Sequence, residues 1–106
     1  MVPTVRLRDY LGDTVDLLKI DIEGAELPVL EDCASLLHNV RAMAIEVHEF
    51  DVAHRQTSVV LELLARAGFT FGMSHLCPLP WRSSDSSSPF PGASAVWAVS
   101  VFAWRV

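Results

Sequence analysis

Acidic residues and one histidine close two apolar runs of this sequence. Asp21 and Glu23 come directly after the first run, and Glu46 and His48 end the second. Carboxylates stabilise a developing positive charge, and a histidine whose pKa is near neutrality can act as a general base. Glu46 and His48 are two residues apart, so on a strand they would face the same side. These residue types predict a reactive rim of carboxylates around one imidazole.

Apolar periodicity predicts the elements that carry this rim. Residues 15–21 and 41–48 are short apolar runs typical of buried strands. A helix is expected between them, from near Gly24 to Asn39, with Cys33 as a small core residue. Its apolar residues recur at three- and four-residue spacing: Leu27, Leu30, Cys33 or Ala34, and Leu37.

The rest of the chain repeats this pattern once and then departs from it. A helix capped by Thr57 or Ser58 and ended by Gly68 should precede strands at residues 69–75 and 95–104. Four of the six prolines and five serines fall within residues 78–93, which predicts a flexible loop. Alternating strands and helices imply a parallel sheet, and two last strands joined without a helix imply an antiparallel pair. We expect one α/β domain over residues 1–106.

The polar residues that follow the first predicted strand could bind a ligand or could have a purely structural role. In open α/β sheets, ligands bind outside the carboxyl ends of the strands, which is where Asp21 and Glu23 lie. Asp21 could instead cap the following helix, although a carboxylate at the end of an apolar strand is costly without a partner. Glu23 and Glu26 could be present because acidic side chains interact favourably with the positive N-terminal end of the helix. Gly24 could be present only because a tight turn requires a glycine.

The second strand end leaves alternatives open as well. His48 could be a general base or a surface residue, and Glu49, which alternates with it, is expected to be solvated. A metal ion held by Asp21, Glu23, Glu46 and His48 is chemically possible. Because their spacing follows no recognised ligand pattern, the sequence predicts no metal site.

Composition excludes several classes of protein. The net charge of −5 disfavours a nucleic-acid binder, which would need a basic stripe. Two cysteines are too few for a disulfide scaffold. The most apolar stretch, residues 93–106, is shorter than the roughly 20 residues of a bilayer span. No signal peptide opens the chain, so a cytoplasmic location is expected.

Four segments have an order and spacing that match a known family. The most specific is residues 15–26, which contain Lys-Ile-Asp-Ile-Glu-Gly-Ala-Glu and are soon followed by Val29 and Leu30. Residues 4–11, 44–48 and 64–69 add further matches. Together they resemble the FkbM family of methyltransferases over about residues 4 to 70. The tail from residue 77 onward resembles no family that we can place.

The resemblance implies the C-terminal half of a class I, Rossmann-like methyltransferase sheet. It implies S-adenosylmethionine as the methyl donor and a hydroxyl group of a small molecule or glycan as the acceptor. Asp21 would lie beside the donor's methyl group, and Glu23 and Gly24 would also contact the donor. We expect His48 to remove the acceptor's proton, with Glu46 orienting His48 and Asp21 stabilising the cationic sulfur.

Two features that hold the donor in this fold are missing from the sequence. The resemblance implies a glycine-rich turn after the first strand of the sheet and a ribose-binding acid on the second. No Gly-x-Gly occurs, however, and Gly12 is the only glycine before Gly24. We therefore expect a fragment, a partial methyltransferase domain that does not bind the donor well by itself.

Two other functions are compatible with the sequence. A non-catalytic α/β remnant would act as an interaction module, and the strand ending at Asp21 would then be an exposed edge able to pair with a partner or a second copy. A metal-dependent hydrolase would instead use the carboxylates of Asp21, Glu23 and Glu46 together with His48. Metal-dependent activity without the methyl donor would distinguish the hydrolase from the methyltransferase.

Overall fold

A computed structural model describes residues 2–79, 89–90 and 94–106. Two α-helices and four strands make up its regular structure, and neither helix is long and apolar enough to cross a membrane. Short 3₁₀ turns span Leu7–Tyr10 and Ala34–Asn39. The regular elements in chain order are β1 (Val15–Ile20), α1 (Glu26–Cys33), β2 (Val40–Glu49), α2 (Thr57–Arg66), β3 (Thr70–Pro78) and β4 (Trp97–Trp104).

The four strands form one mixed sheet in the order β1-β2-β4-β3. β1 and β2 are parallel, with Ile20 opposite Ile45, so their carboxyl ends meet at one edge of the sheet. β4 runs antiparallel to both β2 and β3. The predicted antiparallel pair of final strands is therefore confirmed, and the whole is a small α/β fold compatible with part of a methyltransferase-like domain.

Both helices bury their apolar stripes in one core with the sheet. The predicted stripe of the first helix supplies Leu30, Cys33 and Leu37, all without exposed surface. In α2, Val60 and Leu64 are likewise fully buried in this core. The expectation that Cys33 is a small core residue is confirmed, since its surroundings are apolar and its thiol donates to the backbone carbonyl of Leu30.

The first helix differs from its predicted extent at both ends. Glu23 and Gly24 have φ angles of 55° and 107°, which a right-handed helix does not accommodate, so α1 begins at Glu26 rather than near Gly24. The helix is α only as far as Cys33 and continues as a 3₁₀ turn to Asn39. The tighter turn places Leu37 in the core beneath the start of β2.

The strand predicted to be buried, β1, lies at the edge of the described sheet. No described strand pairs with its outer side, and the side chain of Leu17 is 64% exposed there. The prediction failed because an apolar run does not distinguish a central strand from an edge strand. An unpaired edge agrees with the alternative that this strand would be left open.

Two further expectations concern the second half of the chain. The residue that precedes α2 is Gln56, and its side chain makes no capping hydrogen bond; Thr57 is already helical, and its buried hydroxyl has no partner among the described residues. The predicted cap at Thr57 or Ser58 is therefore wrong. Of the predicted loop at residues 78–93, Pro78 ends β3, and residues 80–88 and 91–93 lie outside the described part of the chain.

Candidate functional site

The structure gathers the predicted rim around one imidazole. The Nε2 atom of His48 lies 3.8 Å from a carboxylate oxygen of Asp21 and 3.8 Å from one of Glu23. A carboxylate oxygen of Glu46 is 3.9 Å away. The parallel pairing of β1 and β2 explains this, because it brings the ends of both strands to the same edge.

The tight turn after β1 depends on glycine. Gly24 has a φ of 107°, and a Cβ atom placed on it would come within 3.0 Å of the Phe50 ring. Its carbonyl accepts a hydrogen bond from Gln56 and its N–H donates to Glu26. Gly24 is thus required by the turn itself, which directs Glu23 toward His48.

The residue that orients His48 is Glu26, which was not among the predicted site residues. Its carboxylate has no exposed surface. One oxygen accepts hydrogen bonds from the backbone N–H and the ring Nδ1–H of His48, both at 2.8 Å, and the other accepts from the Gly24 N–H at 2.7 Å. Glu46, the predicted orienting residue, lies on the Nε2 side instead.

Glu26 could have been suspected from its position in the sequence. It begins a helix directly after a glycine turn, and a carboxylate there often accepts backbone N–H groups. Its bond to a histidine 22 residues away was not visible, because only the pairing of β1 with β2 brings the two together.

Gln56 ties the two strand ends together and was also missed. Its side-chain amide donates to the carbonyls of Gly24 and His48, at 3.0 and 2.9 Å. Its amide oxygen accepts from the N–H of Leu27 at 3.2 Å. One side chain therefore links the turn after β1, the first turn of α1 and the end of β2. No signal in the sequence marks this glutamine among polar loop residues.

Glu49 was expected to be solvated, and this is wrong. It is 1% exposed, because the loop after β2 folds back over it. Its carboxylate accepts the backbone N–H of Gln56 at 2.6 Å and pairs with the Arg55 guanidinium at 3.0 Å. Alternation along β2 correctly separated Glu49 from His48 but could not show that a loop would cover the other face.

A cavity of about 410 Å³ opens beside the imidazole. Glu23, Glu46 and His48 form its polar side. Its other lining residues are mainly apolar: Phe50, Cys77, Leu79 and Ala98. A pocket with one charged and one apolar side suits a small molecule that carries both kinds of group.

Comparison with protein families matches residues 1–71 to the FkbM methyltransferase domain. The chain belongs to the FkbM methyltransferase family. This confirms the resemblance on which the sequence interpretation depended. No curated protein and no solved structure matches the chain significantly.

The matched part of the FkbM domain contains the entire rim. Residues 1–71 include the four rim residues, Asp21, Glu23, Glu46 and His48, and also Glu26, which orients His48. The match ends after β3 has begun, so β4, which lies between β2 and β3, is contributed by sequence outside it. The charged side chains around His48 therefore all come from the family segment, whereas Cys77, Leu79 and Ala98 of the cavity lie outside it.

The acidic surroundings shift the pKa values of two rim residues, His48 and Glu46. Burial lowers the pKa of His48, but the hydrogen bond and charge of Glu26, with the charges of Glu23 and Glu46, outweigh it and raise the pKa above its ordinary value. A side-chain hydrogen bond with Asp21, followed by burial and the charge of Asp21, raises the pKa of Glu46.

The raised pKa of His48 predicts a pH-dependent stability. Since the folded state binds this proton more tightly than the unfolded state, the stabilisation is fully present below about pH 6.5 and is lost as pH rises through the folded pKa. We expect the difference in free energy of unfolding between the native protein and His48→Gln to shrink with rising pH in urea titrations. A difference that is constant or grows with pH would contradict this assignment.

Proposed function

We propose that the rim around His48 is the reaction site of an S-adenosylmethionine-dependent O-methyltransferase. The observation that carries the proposal is the buried His48 ring, which Glu26 holds by Nδ1 while Nε2 faces three carboxylates and the cavity. Membership of the FkbM family supports methyl transfer, and members of this family generally use S-adenosylmethionine.

The negative charge of the rim suits a cationic methyl donor. The donor's sulfonium carries a positive charge before the methyl group is transferred, so carboxylates close to the sulfur favour its binding and orientation. Asp21 and Glu23 converge within 4.8 Å of His48 and of each other, counted between their polar atoms. We assign Asp21 and Glu23 to the donor side of the site on this basis, and Gly24 to the same side because its turn carries Glu23.

His48 supplies a proton acceptor in the right tautomer. Because the Glu26 carboxylate accepts the Nδ1–H, the neutral ring keeps its lone pair on Nε2, which faces the cavity. The methyl group passes from sulfur to the acceptor oxygen, the sulfonium becomes a neutral thioether, and the hydroxyl proton moves to Nε2. A small molecule or sugar with an apolar portion fits the cavity's two sides.

The test separates turnover from donor binding. We expect His48→Ala to lower methyl transfer from radiolabelled donor to a panel of hydroxyl compounds by about 10²–10⁴-fold, the usual contribution of a general base, with donor affinity nearly unchanged. His54→Ala is the matched control, since the His54 side chain is 83% exposed. Equal loss of turnover and donor affinity would remove His48 from the role of base.

Calorimetry with S-adenosylmethionine comes first, because the sequence contains no Gly-x-Gly turn. Heat of binding that Asp21→Asn diminishes would support the donor side as assigned. The absence of any heat would exclude catalysis by these 106 residues alone.

An interaction module is the second candidate, and the position of β1 favours it. β1 lies at the edge of the described sheet, with Leu17 64% exposed. Such an edge can add a strand from another chain. A monomer–dimer equilibrium that Leu17→Lys abolishes, in a chain that does not bind the donor, would favour this function over catalysis.

A further inference from the structure

We propose that the rim is also a binding site for a divalent first-row metal ion of the Mn²⁺ type, with Nε2 of His48 and the carboxylates of Asp21 and Glu23 as ligands. The inference deepens the proposed function, because it concerns the same rim and rests on it for its role in catalysis. The binding itself requires neither methyl donor nor acceptor.

The distances between the polar atoms suit a shared ion better than direct bonds. The ligand atoms of Asp21, Glu23 and His48 all lie within 4.8 Å of one another. The 3.8 Å separations from Nε2 are too long for hydrogen bonds. Adjacent ligands about 2.1 Å from one octahedral ion lie about 3 Å apart, so the site would close if the carboxylates moved about 1 Å closer to Nε2 and by up to about 2 Å toward each other. Glu23, whose side chain is 78% exposed, is free to make that movement.

The histidine provides an observation independent of the acidic cluster. Its side chain is 5% exposed, and its Nε2 has no hydrogen-bond partner within the part of the chain that the structure describes. Its Nδ1–H donates to the buried Glu26 carboxylate at 2.8 Å. A carboxylate that holds one ring nitrogen so that the other faces an ion is the usual support of a metal-binding histidine.

The ligand set also indicates the kind of ion. Carboxylates suit Mg²⁺, Ca²⁺ and Mn²⁺, whereas imidazole favours first-row transition metals, so the mixture points to Mn²⁺. Glu46, 3.9 Å from Nε2, is near enough to add a third carboxylate. The cavity leaves one side of the rim open, where an acceptor oxygen could reach the ion.

Metal binding would change one step of the proposed reaction. With the Nε2 lone pair bound to the ion, His48 could not take the acceptor's proton. The ion would instead lower the pKa of a hydroxyl group that it binds, and the proton would leave to a neighbouring carboxylate or to water. His48 would then act through the metal ion.

The test is a titration of the metal-stripped chain with Mn²⁺ alone, followed by electron paramagnetic resonance. We expect one ion per chain and a pulsed signal showing coupling to an imidazole nitrogen. Asp21→Asn and His48→Gln should each weaken binding at least tenfold, and Glu26→Gln should weaken it by about 10–100-fold, as for other carboxylates that support a ligating histidine. Glu62→Gln is the matched control, because Glu62 is 59% exposed on α2 and pairs with Arg66.

The outcomes separate this inference from the proposed function. Failure of the native chain to bind Mn²⁺, or equal binding by His48→Gln, would overturn the metal site and leave His48 as the base. If His48→Gln does not fold, Glu23→Gln tests the same site, since that side chain is largely exposed and should weaken binding without unfolding the chain. Mn²⁺ binding in a chain that does not bind S-adenosylmethionine would uphold the metal site while excluding methyl transfer by these 106 residues alone.

Discussion

Replacement of Glu26 by alanine is expected to lower the free energy of unfolding by about 3–5 kcal/mol, as when one partner of a buried ionic pair is removed. The Glu26 carboxylate is fully buried and accepts three hydrogen bonds, two from His48 and one from Gly24. Alanine would leave these donors without an acceptor in a space closed to water. Urea unfolding measured by circular dichroism gives the change directly.

Glu31→Ala provides the matched control for this substitution. Glu31 lies on the same helix but is exposed, so its replacement should change the free energy of unfolding by less than about 0.5 kcal/mol. Glu26→Gln should give an intermediate loss, because an amide can accept the bonds from His48 but would place N–H against the N–H of Gly24. Equal stability of Glu26→Ala and Glu31→Ala would contradict the role of Glu26.

The same substitution should also change the titration of His48. Glu26 supplies both the hydrogen bond and the leading charge that raise the pKa of His48, whereas burial opposes them. In Glu26→Gln the charge is absent, so the pKa of His48 should fall. Nuclear magnetic resonance of the ring protons in metal-free buffer measures this shift, and an unchanged pKa would show that other carboxylates dominate.

The second large effect is expected at Arg105, which follows the last strand. Its guanidinium donates to the carbonyls of Val40, Ala67 and Leu37 at 3.0, 2.8 and 2.7 Å. It also lies 4.0 Å from the centre of the Phe69 ring. The Ala67 carbonyl lies at the C-terminal end of α2, and the Leu37 carbonyl, which also accepts the N–H of Val40, lies near the end of the 3₁₀ turn. Arg105 thus links the end of α2 and the 3₁₀ turn to the beginning of β2.

Arg105→Ala should destabilise the chain by about 3 kcal/mol, since hydrogen bonds to a charged donor contribute about 1.5–3 kcal/mol each but not additively. Arg105→Lys should recover part of this loss, because an ammonium can reach one or two of the carbonyls but not all three in one plane. Arg41→Ala is the control, as its pair with Asp16 is exposed on both sides. Similar thermal unfolding of Arg105→Ala and Arg41→Ala would contradict the prediction.

Much of the site could be predicted because strand ends are visible in a sequence. The change from apolar to acidic residues after Ile20 and Ile45 located Asp21, Glu23, Glu46 and His48, and parallel pairing then brought them together. The family could be recognised from the same run, and the domain match confirms it.

Partners distant along the chain could not be predicted. Glu26, Gln56 and Arg105 look like ordinary helix, loop and tail residues, and nothing in their spacing indicates what they contact. Glu49 shows the same limit, because alternation along a strand tells which face a side chain takes but not what covers that face.

The amino-acid sequence by itself determined the order of strands and helices, the family, and which residues stand at the strand ends, because these follow from local periodicity and from a short specific motif. The tertiary structure alone decided that Glu26 rather than Glu46 orients His48, that β1 lies at the edge of the described sheet, and that Nε2 faces three carboxylates. The reason is physical: the burial and hydrogen bonding of a side chain depend on atoms that folding brings from distant parts of the chain.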